Sequence, residues 1–248
     1  MNPHPDPRYS RQMLLPGFGE NGQRRLRQAR VLLIGLGGLG SPIAMYLAAA
    51  GVGELRLADF DAVDLSNLHR QIVHDSTTVG RPKVDSAMTR LAALNPEVAL
   101  VPLKGSATAA RLPELIADVD LVIDACDNFA TRFAINAACM SAGIPLVSGA
   151  AIGTEGQVSA FSARPGGPCY QCLYPREVGE EEGCAVRGVL GPVVGIIGAT
   201  QATEAIKILT GIGEPLFGRL LLLDALRMQW RSLTLPPDPD CPVCGGHG

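Results

Sequence analysis

The amino-acid sequence predicts an α/β protein built on a doubly wound, mostly parallel sheet. Three observations lead there. Short apolar runs alternate with segments of helical spacing over the first 150 residues, the pattern of strands joined by crossover helices. The first such run leads straight into a glycine-rich turn, Gly35-Leu36-Gly37-Gly38-Leu39-Gly40, which suits a sharp strand-to-helix junction. After residue 150 the alternation gives way to apolar runs and one long helical segment, which reads as an antiparallel extension of the same sheet.

Taken in order, residues 31–34 form a strand, the glycine turn follows, and an Ala-rich helix runs to Ala50. Gly51 and Gly53 close that helix, and residues 54–60 (ELRLADF) alternate polar and apolar as a second, parallel strand, completing a βαβ unit. Residues 61–80 are polar and irregular. Residues 81–95 have helical spacing, with Pro82 placed for an early helical position. A third strand is expected at 99–103, a helix at 112–118, a buried strand at 120–125 (DLVIDA) and a helix at 128–142. Beyond these, 145–151 (PLVSGAA), 157–162 and 219–224 read as strands, 228–233 as a partner for the last, and 191–209 as the long helix. Residues 164–191 are rich in Gly, Pro, Glu and Cys and read as a mobile loop. The expected organisation is one domain over 1–248: an N-terminal helical arm (1–30), a Rossmann-like half (31–150) and a C-terminal half (151–248).

Composition narrows the function. The chain has 248 residues, 47% hydrophobic, enough for a substantial core. Its 21 basic and 24 acidic residues leave a formal charge of -3, with no basic stripe for a nucleic-acid backbone. No run reaches the roughly 18 uninterrupted apolar residues of a membrane span, and the opening MNPHPDPRYSRQ lacks the apolar segment expected of a signal peptide. A cytoplasmic location is expected, where cysteines serve first as metal ligands, thiols or core filler.

Gly35, Gly37 and Gly40 match G-x-G-x-x-G: the first permits the turn, the second lets a phosphate approach the backbone, and the third lets the helix pack closely. The amides at the helix start then face an anion. Asp59 ends the next strand, 19 residues after Gly40, where a carboxylate can accept hydrogen bonds from ribose hydroxyls. Adenosine fits, and the motif alone serves NAD or ATP equally. The segment Ser66-Asn67-Leu68-His69-Arg70-Gln71 and Lys83 at the head of the next helix favour a triphosphate, since cations suit phosphates better than a nicotinamide ring. Asp127, directly after DLVIDAC, is placed to hold Mg²⁺, to cap the helix that follows, or to do both.

Cys169-x-x-Cys172 and Cys241-x-x-Cys244 form two pairs 68 residues apart. Four thiolates make a closed, structural zinc site, and a redox dithiol is the competing reading. Cys126 and Cys139 read as buried filler. Cys184, in GEEEGCAVRG with Arg187 nearby, reads either as a reactive thiol or as an inert loop cysteine. His69 and His74 read as polar loop residues, not a catalytic pair.

These segments together resemble the ThiF and MoeB sulfur-carrier activating enzymes, prokaryotic relatives of the ubiquitin-activating enzymes. The likeness covers nearly the whole chain and rests on RYSRQMLLPGFG, VLLIGLGGLGSP, ADFDAVDLSNLHRQ, GRPKV, DACDN, PLVSGAA, CYQC, the Cys184 loop with GVLGPVVGIIGATQATEAIK, and CPVCGG, in that order. It implies ATP-dependent adenylylation of the C-terminal glycine of a small ubiquitin-like carrier, with Mg²⁺ as cofactor, Zn²⁺ as structural metal and a homodimeric enzyme. By the same resemblance the glycine turn, including Gly38, holds the nucleotide with Asp59, with Asp61 nearby. Ser66, Asn67, Leu68, His69, Arg70 and Lys83 engage ribose and phosphates, and Asp127 with Asn128 completes the metal and nucleotide site. Arg11, in RYSRQ, reaches the phosphates from the other subunit. Cys184 matches the ThiF cysteine that joins the carrier through sulfur. The segments QWRSLTL, CPVCGG and DNFATR lean towards ThiF, hence ThiS as carrier, with MoaD close behind. The paired cysteines argue against the branch that modifies tRNA. Two other classes stand beside this reading: an NAD-dependent oxidoreductase, and a non-catalytic module that docks a ubiquitin-like tail.

Overall fold

A computed structural model describes residues 7–103, 105, 107–174 and 188–245. The chain opens with α1 (Ser10–Met13) and α2 (Gly19–Gln28), then enters β1 (Arg30–Ile34), α3 (Gly40–Ala50), β2 (Glu54–Ala58), α4 (Lys83–Leu94) and β3 (Ala99–Leu103). It continues through α5 (Leu112–Ile116), β4 (Leu121–Asp124), α6 (Phe129–Ala142), β5 (Leu146–Ile152) and β6 (Glu155–Phe161). The last elements are α7 (Tyr170–Leu173), α8 (Gly191–Thr210), β7 (Arg219–Asp224) and β8 (Gln229–Thr234).

All eight strands form one sheet in the order β3-β2-β1-β4-β5-β6-β7-β8. Strands β3 to β5 are parallel neighbours, and β6, β7 and β8 add on antiparallel, as expected. The order reverses between β1 and β4, and in such sheets the crevice beyond the carboxyl ends of those strands is where ligands bind. Both faces of β1 are covered. Val31 and Leu33 join a core layer with α3 and α8, whereas Leu32 and Ile34 join a second layer with α5 and α6. That two-sided burial explains why the β1 sequence is continuously apolar where an exposed strand alternates. Burying each such side chain stabilises the fold by about 1.5–3 kcal/mol.

The N-terminal arm is tied down by Tyr9. Its ring lies against Gly51, where an added Cβ would come within 2.5 Å of it, and Gly51 itself sits at φ +81 as it ends α3. The Tyr9 hydroxyl donates to Glu97 (3.0 Å) and accepts from Asn95 (2.8 Å). Only a glycine meets both the left-handed backbone and the close approach.

Several boundaries differ from expectation for local reasons. β2 stops at Ala58, two residues early, because the Asp59 carboxylate accepts the amides of Leu36 (2.7 Å) and Asp61 (2.8 Å) and turns the chain. α4 begins at Lys83 because Pro82 is extended (φ -52, ψ 135). The segment 164–191, read as a loop, contains α7, and within it residues 175–187 lie outside the described residues. Among the described residues one helix, α8, is long and apolar enough to cross a membrane, and half of it is buried in this core.

Candidate active site

The glycine turn divides its labour. Gly35 follows β1 at φ +98, and a Cβ there would lie 2.6 Å from the Ala125 carbonyl oxygen. A Cβ on Gly40 would lie 1.9 Å from the Gly35 carbonyl oxygen, and one on Gly38 would press on Val194 of α8 at 3.0 Å. These three positions are fixed by the protein's own packing. Gly37 is different: its nearest neighbour would be Gln71 Nε2 at 3.6 Å, and it opens on a cavity of about 890 Å³. The missing side chain there leaves room for a ligand, which fits a phosphate lying against the backbone.

Two cations stand across the cavity. Lys83 is almost wholly buried, and its Nζ meets Asp61 at 2.7 Å. Arg70 donates to Asn67 Oδ1 at 2.6 Å. Asp59 uses one lone pair of each oxygen on backbone amides and retains acceptor capacity for hydroxyls. Ser66 turns its hydroxyl to Asp64 (2.5 Å), and the His69 ring meets the Ser66 carbonyl (2.9 Å).

The third wall is the turn after β4. Asp124 and Arg132, both buried, approach to 3.7 Å. Asp124 accepts from the Cys126 amide (2.9 Å) and from Ser148 Oγ (2.7 Å), while Arg132 donates to the Cys126 carbonyl. Asp127 and Asn128 follow, exposed to the cavity. The cap of α6 is Asn128, whose Oδ1 accepts from Thr131 N at 2.9 Å. The capping role weighed for Asp127 therefore belongs to its neighbour, and the Asp127 carboxylate is left to face the cavity as a cation ligand would. Cys126 packs against the α5 and α6 core layer, as expected of filler, and also lines the cavity. Burial, reinforced by Asp124, pushes its thiol pKa well up, so it stays a neutral thiol. Cys139 is buried as expected.

One cavity thus gathers Gly35, Gly37, Gly38, Asp59, Asp61, Arg70, Lys83, Asp127 and Asn128. Gly40, Ser66, Asn67, Leu68 and His69 lie outside its lining, and Arg11 is exposed on α1, also outside it. Cys184 and Arg187 lie outside the described residues. The cavity continues past Ala150, Gln157 and Tyr174 to Leu222 and Arg231, giving the glycine-turn end a half-apolar annex on β5 to β8. The sequence reading missed the roles of Asp124 and Arg132, whereas Gln71, which it placed with Arg70, does line the cavity. Gln71 is buried with its Oε1 unpartnered.

The four cysteines converge. All four Sγ atoms lie within 4.8 Å of one another, with Cys169 and Cys241 at 3.6 Å and Cys172 and Cys244 at 3.3 Å. Tetrahedral zinc with bonds of about 2.3 Å sets its sulfurs about 3.8 Å apart, so the set fits that ion. Amides of Cys169 (3.5 Å) and Asp238 (3.4 Å) donate to Cys172 Sγ, and the Asn136 amide donates to Cys169 Sγ (3.5 Å). Such donors steady thiolate charge around a metal.

A model of the ThiF family matches residues 9–243. The chain is 49% identical over 239 residues to the molybdopterin-synthase adenylyltransferase of Escherichia coli, covering 96% of both chains. It is 47% identical over 246 residues to the sulfur carrier protein ThiS adenylyltransferase of the same organism, covering 99% of this chain and 98% of that one. Among solved structures, E. coli MccB with ATP superposes with a TM-score of 0.84 at 22% identity, over 99% of this chain and 76% of the other, a likeness of fold.

Proposed function

Because the chain belongs to the ThiF family, we propose that it is an ATP-dependent adenylyltransferase of a ubiquitin-like sulfur carrier, acting on the carrier's C-terminal glycine carboxylate. One observation carries this reading: the glycine turn, Arg70, Lys83 and Asp127 share a cavity that runs on across β5 to β8. The phosphate end suits a triphosphate. The annex is long enough and apolar enough for an extended peptide tail.

A carboxylate oxygen of the carrier attacks the α-phosphorus of ATP, the bond to the bridging oxygen breaks, and pyrophosphate leaves with that oxygen. No proton has to move, so the protein's contribution is positioning and neutralisation of charge. Arg70 and Lys83 take up negative charge on the phosphates, Lys83 exchanging its contact with Asp61 for them. The Gly37 backbone lies against the phosphates, and Asp59 accepts from the ribose. Asp127, with Asn128 beside it, would hold Mg²⁺, which supplies further charge neutralisation on the phosphates when bound. Residues 31–150 form the nucleotide half and 151–248 the carrier and zinc half. Cys169, Cys172, Cys241 and Cys244 would hold a structural Zn²⁺. Ser66, Asn67, Leu68 and His69 support Arg70 from its own turn. Arg11, exposed on α1, serves the neighbouring site of a homodimer, and Cys184 acts on the adenylylated carrier in the sulfur step. The setting is cytoplasmic thiamine thiazole or molybdopterin synthesis, with ThiS or MoaD as carrier.

The test is exchange of labelled pyrophosphate into ATP with ThiS and MoaD supplied separately, each with and without its terminal glycine. Exchange with an intact carrier, lost on trimming, is expected and names the pathway. No exchange with either, by protein that binds ATP, would overturn it.

A further inference from the structure

His74 sits behind the glycine turn, outside the cavity, with its side chain buried. Its Nε2 lies 3.0 Å from the Leu36 carbonyl oxygen. A carbonyl only accepts, so this nitrogen carries the ring proton. On the other side Nδ1 meets Ser86 Oγ at 2.9 Å, and Ser86 Oγ also meets Thr78 Oγ1 at 3.0 Å. Burial favours the neutral ring by lowering the histidine's pKa.

Leu36 is therefore gripped at both peptide groups. Its N–H donates to Asp59 Oδ2 at 2.7 Å, and its C=O accepts from His74. The second grip has a directional consequence. The Leu36 C=O and the Gly37 N–H belong to one planar trans peptide and point opposite ways. With the carbonyl aimed back at His74, the Gly37 amide is turned away from it, towards the cavity that Gly37 lines. Gly37 has no side chain to resist rotation of that peptide, so the orientation has to be imposed from behind.

His74 also joins the pieces of the site. Its own N–H donates to Gln71 O (3.0 Å), at the end of the turn carrying Arg70. Ser86 belongs to α4, whose first residue is Lys83. One residue thus links the glycine turn, the Arg70 turn and the Lys83 helix.

We propose that His74 is a positioning residue for the nucleotide: it fixes the Leu36–Gly37 peptide so that the Gly37 amide faces the phosphates. The inference rests on the ATP reading above.

The test compares His74→Asn, which keeps a polar group near Ser86 but cannot reach Leu36, with His74→Gln, whose longer amide restores a donor near Nε2. The full chain is titrated calorimetrically with Mg-ATP, melted without nucleotide, and assayed by pyrophosphate exchange. In His74→Asn the Kd and KM for ATP are expected to rise about tenfold, as for loss of one net hydrogen bond, with the KM for carrier unchanged. In His74→Gln they return to within about threefold. Equal weakening in both variants, or wild-type ATP binding in His74→Asn, overturns the proposal. Should His74→Asn not fold, Ser86→Ala removes the Oγ contacts with Nδ1 and with Thr78 and should weaken ATP about threefold; unchanged binding there overturns it equally. A wild-type chain that does not bind ATP defeats the nucleotide reading itself, a result the titration separates from the others.

Discussion

Arg132 and Asp124 meet at 3.7 Å beneath the turn that carries Asp127, and between them they hold both peptide groups of Cys126. The pair is buried, and Gln201 Nε2 closes the Asp124 carbonyl at 2.9 Å. Removing one partner of a buried pair strands the other charge, at a cost of about 3–5 kcal/mol. Arg132→Met should lose stability on that scale in denaturant unfolding. Adding Asp124→Asn should recover part of the loss, because the stranded charge is gone. A double variant no more stable than the single one would mean that the pair acts through packing alone.

The glycine turn separates folding from binding. Gly40→Ala drives a methyl to 1.9 Å from the Gly35 carbonyl, and should cost about 3 kcal/mol or prevent folding. Gly37→Ala meets no protein atom closer than 3.6 Å. It should melt like wild type yet bind ATP at least about tenfold more weakly. Wild-type affinity in Gly37→Ala would remove the phosphate from this position.

The same contrast explains what was legible in the sequence. Strand positions, the glycine turn and the cysteine pairs depend on local spacing and apolar periodicity, and each was readable. Gly37 and Gly40 look alike in the motif, yet one opens on a cavity and the other on a carbonyl oxygen. Asp124 read as an acid at a strand edge because its partners, Ser148 and Arg132, arrive from β5 and α6. His74 read as a polar loop residue because Leu36 is 38 positions away. Only tertiary contact reveals those roles, although an acid ending a wholly apolar run was a usable signal for Asp124.

Asp127 faces the cavity, and Asn128 supplies the helix cap. Asp127→Ala should therefore keep its fold and zinc content while pyrophosphate exchange falls by about 10²-fold or more. Thermal melting and zinc content serve as controls. Undiminished exchange would remove this carboxylate from the mechanism.

The cysteine cluster joins the segment at 169–172 to the tail at 241–244. Chelation, or Cys172→Ser, should release about one zinc per chain and lower the melting temperature by about 4–8 °C, corresponding to about 2 kcal/mol. The tail should become open to proteolysis. An identical digestion pattern with and without chelator would show that the cluster does not anchor it.

His74 gives stability a dependence on pH whose sign follows from burial. Burial lowers its pKa below the usual 6.5; nearby Lys83 adds to this, while Asp59, Asp75 and the Leu36 carbonyl oppose it. A folded-state pKa below the unfolded value means that the unfolded chain binds more protons, so folding is penalised on acidification. The stabilisation is intact above about pH 6.5, where the ring is neutral in both states, and is lost as pH falls from there through the folded-state pKa. Melting curves between about pH 7.5 and pH 5 should show wild type losing stability faster than His74→Gln, which has no ring to protonate. The gap between the two narrows on acidification as a result. A gap constant across that range would mean that His74 titrates alike in the folded and unfolded chains, and that its burial does not disfavour the charged ring.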